Sequence, residues 1–164
     1  WLYLYEGEVE QARRFLGTAI DWLRVTYPEA LTSAASLRAL RAEALRRCGD
    51  ARTAAVELSS VLESSLMRSN LCFDFQAVLL CALAAWDLGD LDSARALARA
   101  WDGLRTRIGL PVPVHLIVPA GEAFGLEPAA PPGPDPDYRW DEVEIRQVIA
   151  KAAAWCRRVG DDST

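Results

Sequence analysis

A glycine followed by an acidic residue recurs at near-regular intervals in this 164-residue chain. The pairs are Gly7 with Glu8, Gly49 with Asp50, and Gly89 with Asp90. Successive glycines are 42 residues apart (49 − 7) and then 40 (89 − 49). Glycine adopts the left-handed conformation that ends a helix, and an acidic side chain accepts hydrogen bonds from the free N–H groups that begin the next one. Each pair therefore predicts a corner between two antiparallel helices, at an interval expected of two-helix repeats.

A small residue follows each corner glycine five positions later, at Ala12, Ala54 and Ala94. A small side chain at this point lets the second helix of a pair press closely against the first. Apolar residues fall at helical spacing on both sides of the corners, as they do from Glu8 to Tyr27 and from Leu91 to Ile108. The first two thirds of the chain are therefore predicted to form stacked helical hairpins.

The pattern weakens between Pro111 and Asp137. Gly125 lies 36 residues (125 − 89) beyond the previous corner, but five prolines between positions 128 and 136 exclude a regular second helix. The run VPVHLIVP would also suit a short strand, although a lone strand would have no partner in a helical chain. We therefore predict a degenerate hairpin and a proline-rich connector, and leave open whether 112–127 is helical or extended.

Together these patterns predict an all-α fold, a right-handed α-solenoid of about three and a half helical hairpins with a C-terminal closing helix, all in one domain. The closing helix would cover the exposed apolar end of the stack. The chain starts without Met, only six residues before the first corner, so we expect it to be a piece of a longer protein, with a processed natural start as the alternative. The predicted parts are three hairpins in 1–110, the first one truncated, a degenerate hairpin and proline-rich connector in 111–138, and the capping helix in 139–160.

The composition narrows the class of protein. A hydrophobic content of 51% suits one globular domain with its own core. The formal net charge of -5 argues against direct nucleic-acid binding, which needs a basic surface to neutralise phosphates. No apolar run reaches the roughly 18 residues of a membrane span, and no leader pattern opens the chain. These features predict a soluble cytoplasmic protein that does not bind membranes.

Catalytic and metal-binding signatures are absent from the sequence. The nucleotide-binding, serine-hydrolase and zinc-protease patterns do not occur, and the acidic pairs sit at helix starts, where carboxylates cap free N–H groups. The four cysteines include no CxxC pair, and His115 is the single histidine. We therefore predict a chain that is not an enzyme, with no catalytic residue, no metal site and no cofactor. We interpret the cysteines as small apolar residues, with a redox or interface role as the alternative.

Three runs in register carry a family resemblance: LYEGEVEQARRFL, LRRCGDARTAAVEL and AWDLGDLDSARALA. Over residues 1 to about 108 they resemble the tetratricopeptide repeat (TPR), in which a Gly-Asp-like corner is followed by a small residue and a spaced apolar pair. Their longer period is similar to the repeat modules of large bacterial transcriptional activators, of the ATPase-linked maltose-activator and LuxR-like type or the antibiotic-regulator type. The resemblance implies a module that binds an inducer or a partner for a larger regulator.

The resemblance also implies a concave groove, lined by the first helix of each hairpin close to its corner. Arg46 and Arg47 would there bind a carboxylate, or would form a solvated helix end favoured by the helix dipole. Trp86 would offer a flat apolar face, or would belong to the core. Carried onto this chain, the groove residues are Tyr5, Glu43, Arg46, Arg47, Gln76, Leu83, Trp86 and Asp87.

Two functions remain as hypotheses. The first is a non-catalytic protein-protein interaction module, with a protein or peptide in the groove. The second is a module that senses a small-molecule inducer for a transcriptional activator. An open channel favours the first, and a closed apolar pocket of a few hundred Å³ favours the second. Self-association through the truncated N-terminal hairpin is a further partner hypothesis.

Overall fold

The computed structural model describes residues 2–27, 35–67, 75–110, 112–127 and 142–162, which form α-helices and one 3-10 turn, without a strand in these ranges. This confirms the all-α class, whereas the right-handed solenoid stays a prediction. Residues 128–141, with most of the predicted proline-rich connector, lie outside the described ranges. The helices are α1 (Leu2–Tyr5), α2 (Val9–Thr26), α3 (Ala35–Arg47), α4 (Ala51–Leu66), α5 (Phe75–Asp87), α6 (Leu91–Ile108), α7 (Ile117–Phe124) and α8 (Glu142–Asp161).

The three predicted corners share one backbone geometry. Gly7, Gly49 and Gly89 have φ angles of +81°, +86° and +79°, a conformation that residues with a side chain rarely adopt. The residue after each glycine donates its N–H to the carbonyl five positions earlier, over 2.8–3.0 Å, which satisfies a carbonyl at the helix end. The pairs are Glu8 with Tyr3, Asp50 with Leu45, and Asp90 with Ala85.

The helices joined by these corners pack directly against each other, so that α1 contacts α2, α3 contacts α4 and α5 contacts α6. The small residues predicted at the contacts are buried: Ala12 is 3% exposed, Ala54 1% and Ala94 0%. Neighbouring pairs meet through contacts of α2 with α3 and of α4 with α5. The core is centred on α5, where every residue from Ala77 to Ala85 is buried.

Helix α8 lies along the second helices of the hairpins. It packs mainly on α4 and also contacts α5 and α6. Arg146 near its start donates to the Leu66 carbonyl at the end of α4, so the two helices are antiparallel. A C-terminal helix is therefore present where the sequence predicts one, and it packs on α4 as well as on α5 and α6. Its buried residues are Ile145, Val148, Ile149, Ala152, Ala153, Trp155 and Cys156.

The segment 112–127, which we call the covering segment, packs against α5 and is hydrogen-bonded to α3 through Arg47 and the His115 carbonyl. It forms a 3-10 turn at Val114–Leu116 and continues as α7, which contacts α5. Leu116 and Ala120 are fully buried there. The segment is therefore helical from Val114 to Phe124, and the strand alternative is wrong because this apolar run buries one helical face.

Candidate functional site

A cleft of about 310 Å³ opens between α1, the end of α3 and the segment 115–122. We call it the Tyr5 cleft. Tyr5 of α1 and Val118 of α7 both line it and are 71% and 66% exposed. Three of the predicted groove residues, Tyr5, Arg46 and Arg47, come together here. The cleft is lined by Leu4, Tyr5, Arg46, Arg47, His115, Val118, Pro119 and Glu122.

A buried carboxylate fixes the two arginines of the cleft. Glu43 is 0% exposed. It accepts hydrogen bonds from Arg46 Nε at 2.8 Å and from Arg47 Nε at 2.6 Å. Residues three and four positions apart lie on the same face of a helix, so α3 itself brings both guanidinium groups to one acid. A charge this deeply buried is tolerated only with such partners.

Arg46 also joins α3 to α5. Its Nη1 donates to Asp87 Oδ2 at 2.6 Å, which ties the ends of the two helices just before their corners. Burial opposes the charge of Arg46, but its hydrogen bonds and charge interactions with Glu43 and Asp87 outweigh that cost and raise its pKa above the ordinary value. Arg46 is therefore a fixed cation inside the structure.

Arg47 joins three parts of the chain. Its Nη1 donates to the Leu4 carbonyl of α1 at 2.9 Å, and its Nη2 donates to the His115 carbonyl of the 3-10 turn at 2.5 Å. With Glu43 on its Nε, the guanidinium group serves three acceptors. The structure therefore places both arginines in an internal ion cluster, neither free for an incoming carboxylate nor on a solvated helix end.

The other predicted groove residues lie apart from the Tyr5 cleft. Leu83 is 1% exposed, so it belongs to the core and offers no surface to a partner. Trp86 is half-buried, and Phe124 of α7 packs edge-on against it with ring centroids 5.7 Å apart. Asp87 is the acceptor of Arg46, and Gln76 faces a second cavity. The covering segment therefore fills part of the expected groove.

This second cavity, which we call the His115 cavity, measures about 300 Å³ and lies between α3, α5 and the 3-10 turn. Its walls are mainly apolar, with three polar side chains. Burial is the main cause that lowers the pKa of His115, to about 4; the Glu43 charge opposes this shift and the Arg47 charge adds to it. The imidazole is therefore neutral at pH 7. The lining residues are Ser36, Ala39, Leu40, Gln76, Leu80, His115 and Leu116.

Sequence reasoning missed the contribution of 115–122 to both cavities. Leu116 and Ala120 are four positions apart, a helical spacing that a strand assignment ignores. Glu43 was predicted as a groove residue, whereas it is the buried centre of the ion cluster. The signal for that cluster was the order Glu-x-x-Arg-Arg on one predicted helix, although nothing in the sequence shows its burial.

Among the described residues, no group of three His, Cys, Asp or Glu side chains could hold a metal ion. None of the helices in those ranges is long and apolar enough to cross a membrane.

The chain matches no protein-family model, no curated protein and no solved structure. Its likeness to the repeat modules of bacterial activators therefore stays a prediction.

Proposed function

We propose that this chain is a non-catalytic protein-interaction module of a larger bacterial regulatory protein, and that a peptide segment of its partner binds in the Tyr5 cleft. The observation that carries the proposal is the meeting of Tyr5, Arg46 and Arg47 around one cleft. Peptide sites of this kind combine an apolar anchor with polar groups that fix orientation. The cleft offers both, since an ion cluster forms one wall and exposed apolar side chains form the rim.

The charges of the cleft favour an apolar anchor over a carboxylate. Arg46 and Arg47 are already bound to Glu43, and Glu122 lines the same cleft. An incoming carboxylate would have to compete with Glu43, whereas an apolar side chain would bury the exposed faces of Tyr5 and Val118. The partner segment therefore carries an aromatic or aliphatic residue that inserts between these two side chains.

Displayed random peptides selected on the wild-type protein test this proposal. We expect the selected peptides to be rich in apolar residues, and their affinity to fall by about tenfold or more in the Val118→Asp variant, because a charge would replace the apolar rim. Val143→Asp is the matched control, since Val143 lies on α8 and is 62% exposed, close to the 66% of Val118. Peptides that bind both variants as tightly as the wild type would show that the Tyr5 cleft is not their site.

A second function, sensing of a small molecule, rests on the His115 cavity. Its volume is that of a small-ligand site, and Ser36, Gln76 and His115 supply hydrogen-bonding groups on apolar walls. Thermal-shift measurements on a metabolite library would find a ligand that raises the melting temperature of the wild type. Ala39→Leu, which fills the cavity, should abolish that rise. A ligand that stabilises both proteins equally would bind elsewhere.

Self-association is the partner hypothesis for α2. Its surface carries Phe15 and Trp22, and Tyr27 follows directly after its last residue; these side chains are 66%, 56% and 49% exposed. Exposed aromatic side chains in such number are typical of contact surfaces. Sedimentation equilibrium should show a dimer for the wild type and a monomer for Trp22→Glu. A wild-type monomer at high micromolar concentration would remove this hypothesis.

A further inference from the structure

Two cysteines from distant parts of the chain meet in the core. Cys81 lies in the middle of α5 and Cys156 near the end of α8, and they are 0% and 1% exposed. Their Sγ atoms are 3.4 Å apart. Cys48, by contrast, is exposed, and Cys72 lies outside the described residues. Of the cysteines that the structure describes, only this pair brings its sulfur atoms together.

Helices α5 and α8 contact each other, and small buried residues lie three and four positions from each cysteine. Ala84 and Ala85 of α5 and Ala152 and Ala153 of α8 are all fully buried. A disulfide bond needs an S–S distance of about 2.05 Å, so the two sulfur atoms must approach by roughly 1.4 Å. Side-chain rotation supplies most of that movement, because both residues have a single χ angle that positions the sulfur. The packing of α5 and α8 therefore holds the thiols ready to join.

We propose that Cys81 and Cys156 are a redox modification site, at which a small hydroperoxide oxidises the two thiols to a disulfide that fixes α8 to α5. With hydrogen peroxide, one thiolate attacks an oxygen atom, the O–O bond breaks, and a sulfenic acid and hydroxide form. The second thiol then attacks the sulfenic sulfur, the S–O bond breaks, and the departing hydroxide takes a proton to become water. Two thiols and one peroxide thus give one disulfide and two water molecules.

The burial of the two thiols determines which oxidants reach them and how fast they are oxidised. Hydrogen peroxide is close to water in size, so a small local opening of the core is enough for it to reach these buried sulfur atoms, whereas a bulky disulfide reagent needs a larger opening. Burial raises the pKa of the Cys81 thiol well above its usual range, so little thiolate is present at neutral pH and the reaction is slow. The disulfide accumulates under sustained oxidation and is reversed by a dithiol.

The new bond would tie the ends of a long loop. The two residues are 75 positions apart (156 − 81), so the cross-link removes much of the freedom of the unfolded chain. For a chain of this size we expect the melting temperature to rise by roughly 5–15 °C. Fixing α8 also suppresses any opening of that helix away from α4, α5 and α6.

Peptide mapping of the whole chain tests the proposal. The wild type is treated with hydrogen peroxide, unfolded in the presence of an alkylating reagent, digested without reductant and analysed by mass spectrometry. We expect one linked pair of peptides that contain Cys81 and Cys156, with the loss of two hydrogen atoms, and its disappearance after dithiothreitol. Cys48 should be alkylated as a free thiol. Alkylated Cys81 and Cys156, sulfinic acid at either residue without a link, or a link between two molecules would each overturn the proposal.

A variant without the other cysteines, Cys48→Ala with Cys72→Ala, provides the stability measurement. Its melting temperature after oxidation should exceed that of the same sample in dithiothreitol, and Cys156→Ala in that background should abolish the difference. An oxidised, linked protein that melts no higher than its reduced form would show that the bond does not fix α8 to α5. The peptide map on the wild type stands independently of whether these variants fold.

Discussion

The sequence Glu-x-x-Arg-Arg occurs in both α2 and α3, and the two copies have opposite environments. In α2, Glu10 contacts Arg13 at 2.6 Å and Arg14 at 3.2 Å, and its side chain is 48% exposed. In α3, the side chain of Glu43 is 0% exposed, and it contacts its two arginines at 2.8 and 2.6 Å. Helical spacing alone creates both sets of contacts, because residues three and four apart share a face.

The two copies differ in the further hydrogen bonds that their arginines make. In the α2 copy both ion pairs lie within one exposed helix, where such pairs contribute little to stability, and the Cys48 thiol also donates to Glu10 Oε2 at 3.6 Å. In the α3 copy, Arg46 continues to Asp87 of α5, while Arg47 continues to the carbonyls of Leu4 and His115. The motif in α2 therefore lies on the surface, whereas the same motif in α3 connects α1, α3, α5 and the covering segment. Burial decides which of the two roles it takes.

The largest expected effect comes from removing the buried acid. Glu43→Ala should lower the free energy of unfolding by about 3–5 kcal/mol, because two guanidinium groups lose their shared partner inside the structure. Glu10→Ala, the matched change in the exposed copy, should leave stability almost unchanged. Urea denaturation followed by circular dichroism measures both. Similar losses in the two variants would mean that burial does not separate the two copies.

A smaller loss is expected from the arginine that holds the covering segment. Arg47→Met keeps most of the aliphatic stem but removes the bonds to Leu4, His115 and Glu43, so we expect a loss of about 2 kcal/mol. Arg14→Met is the control, because that side chain is 76% exposed. Hydrogen exchange adds a local measurement, since the amides of 115–122 should lose protection in Arg47→Met and keep it in Arg14→Met. Unchanged protection of 115–122 in both variants would show that Arg47 does not hold the covering segment in place.

The sequence predicted the features that depend on local chemistry. The corners at Gly7, Gly49 and Gly89, the small residues that follow them and the class of fold all have causes within a few residues of chain. The helix bounds agree for the same reason, as for α6, predicted from Leu91 to Ile108 and found there. Repetition made these signals readable, since three weak patterns in register reinforced each other.

Features that depend on distant contacts were not predictable in this way. The two Glu-x-x-Arg-Arg copies are equivalent by spacing; what separates them is the burial of Glu43 and the bonds from its two arginines to α1, α5 and the 3-10 turn. The position of α8 along α4 is another example, since its apolar stripe would suit several surfaces. Trp86 was left between core and ligand contact, and its partner Phe124 lies 38 residues further on (124 − 86). Both cavities are lined in part by the covering segment, which has the weakest helical pattern in the described chain, so they could not be predicted from the sequence.

Acid should weaken the covering segment next to the Glu43 cluster. The pKa of His115 is lowered to about 4 in the folded protein, from an ordinary value of 6.5. The unfolded chain thus binds a proton at a higher pH than the folded one, and stability should fall as the pH drops from 6.5 to 4, by roughly 2–3 kcal/mol in total. His115→Gln should flatten that part of the pH profile. Because the chain has a single histidine, proton NMR reads this pKa directly, and a value near 6.5 would contradict the burial.

The smallest expected effect is the response of the two copies to salt. The hydrogen bond from Arg13 is the main cause that lowers the pKa of Glu10, to about 2. At about 1 M salt the screening length falls to about 3 Å, so this exposed pair should weaken and the pKa should move back towards 4.5. Carboxyl NMR titration measures that shift. The loss in free energy of unfolding caused by Glu43→Ala should be the same at low salt and at about 1 M salt, because water and ions do not reach the buried carboxylate. A loss that becomes smaller at high salt would show that Glu43 is screened like the exposed Glu10, and would contradict the claim that burial separates the two copies.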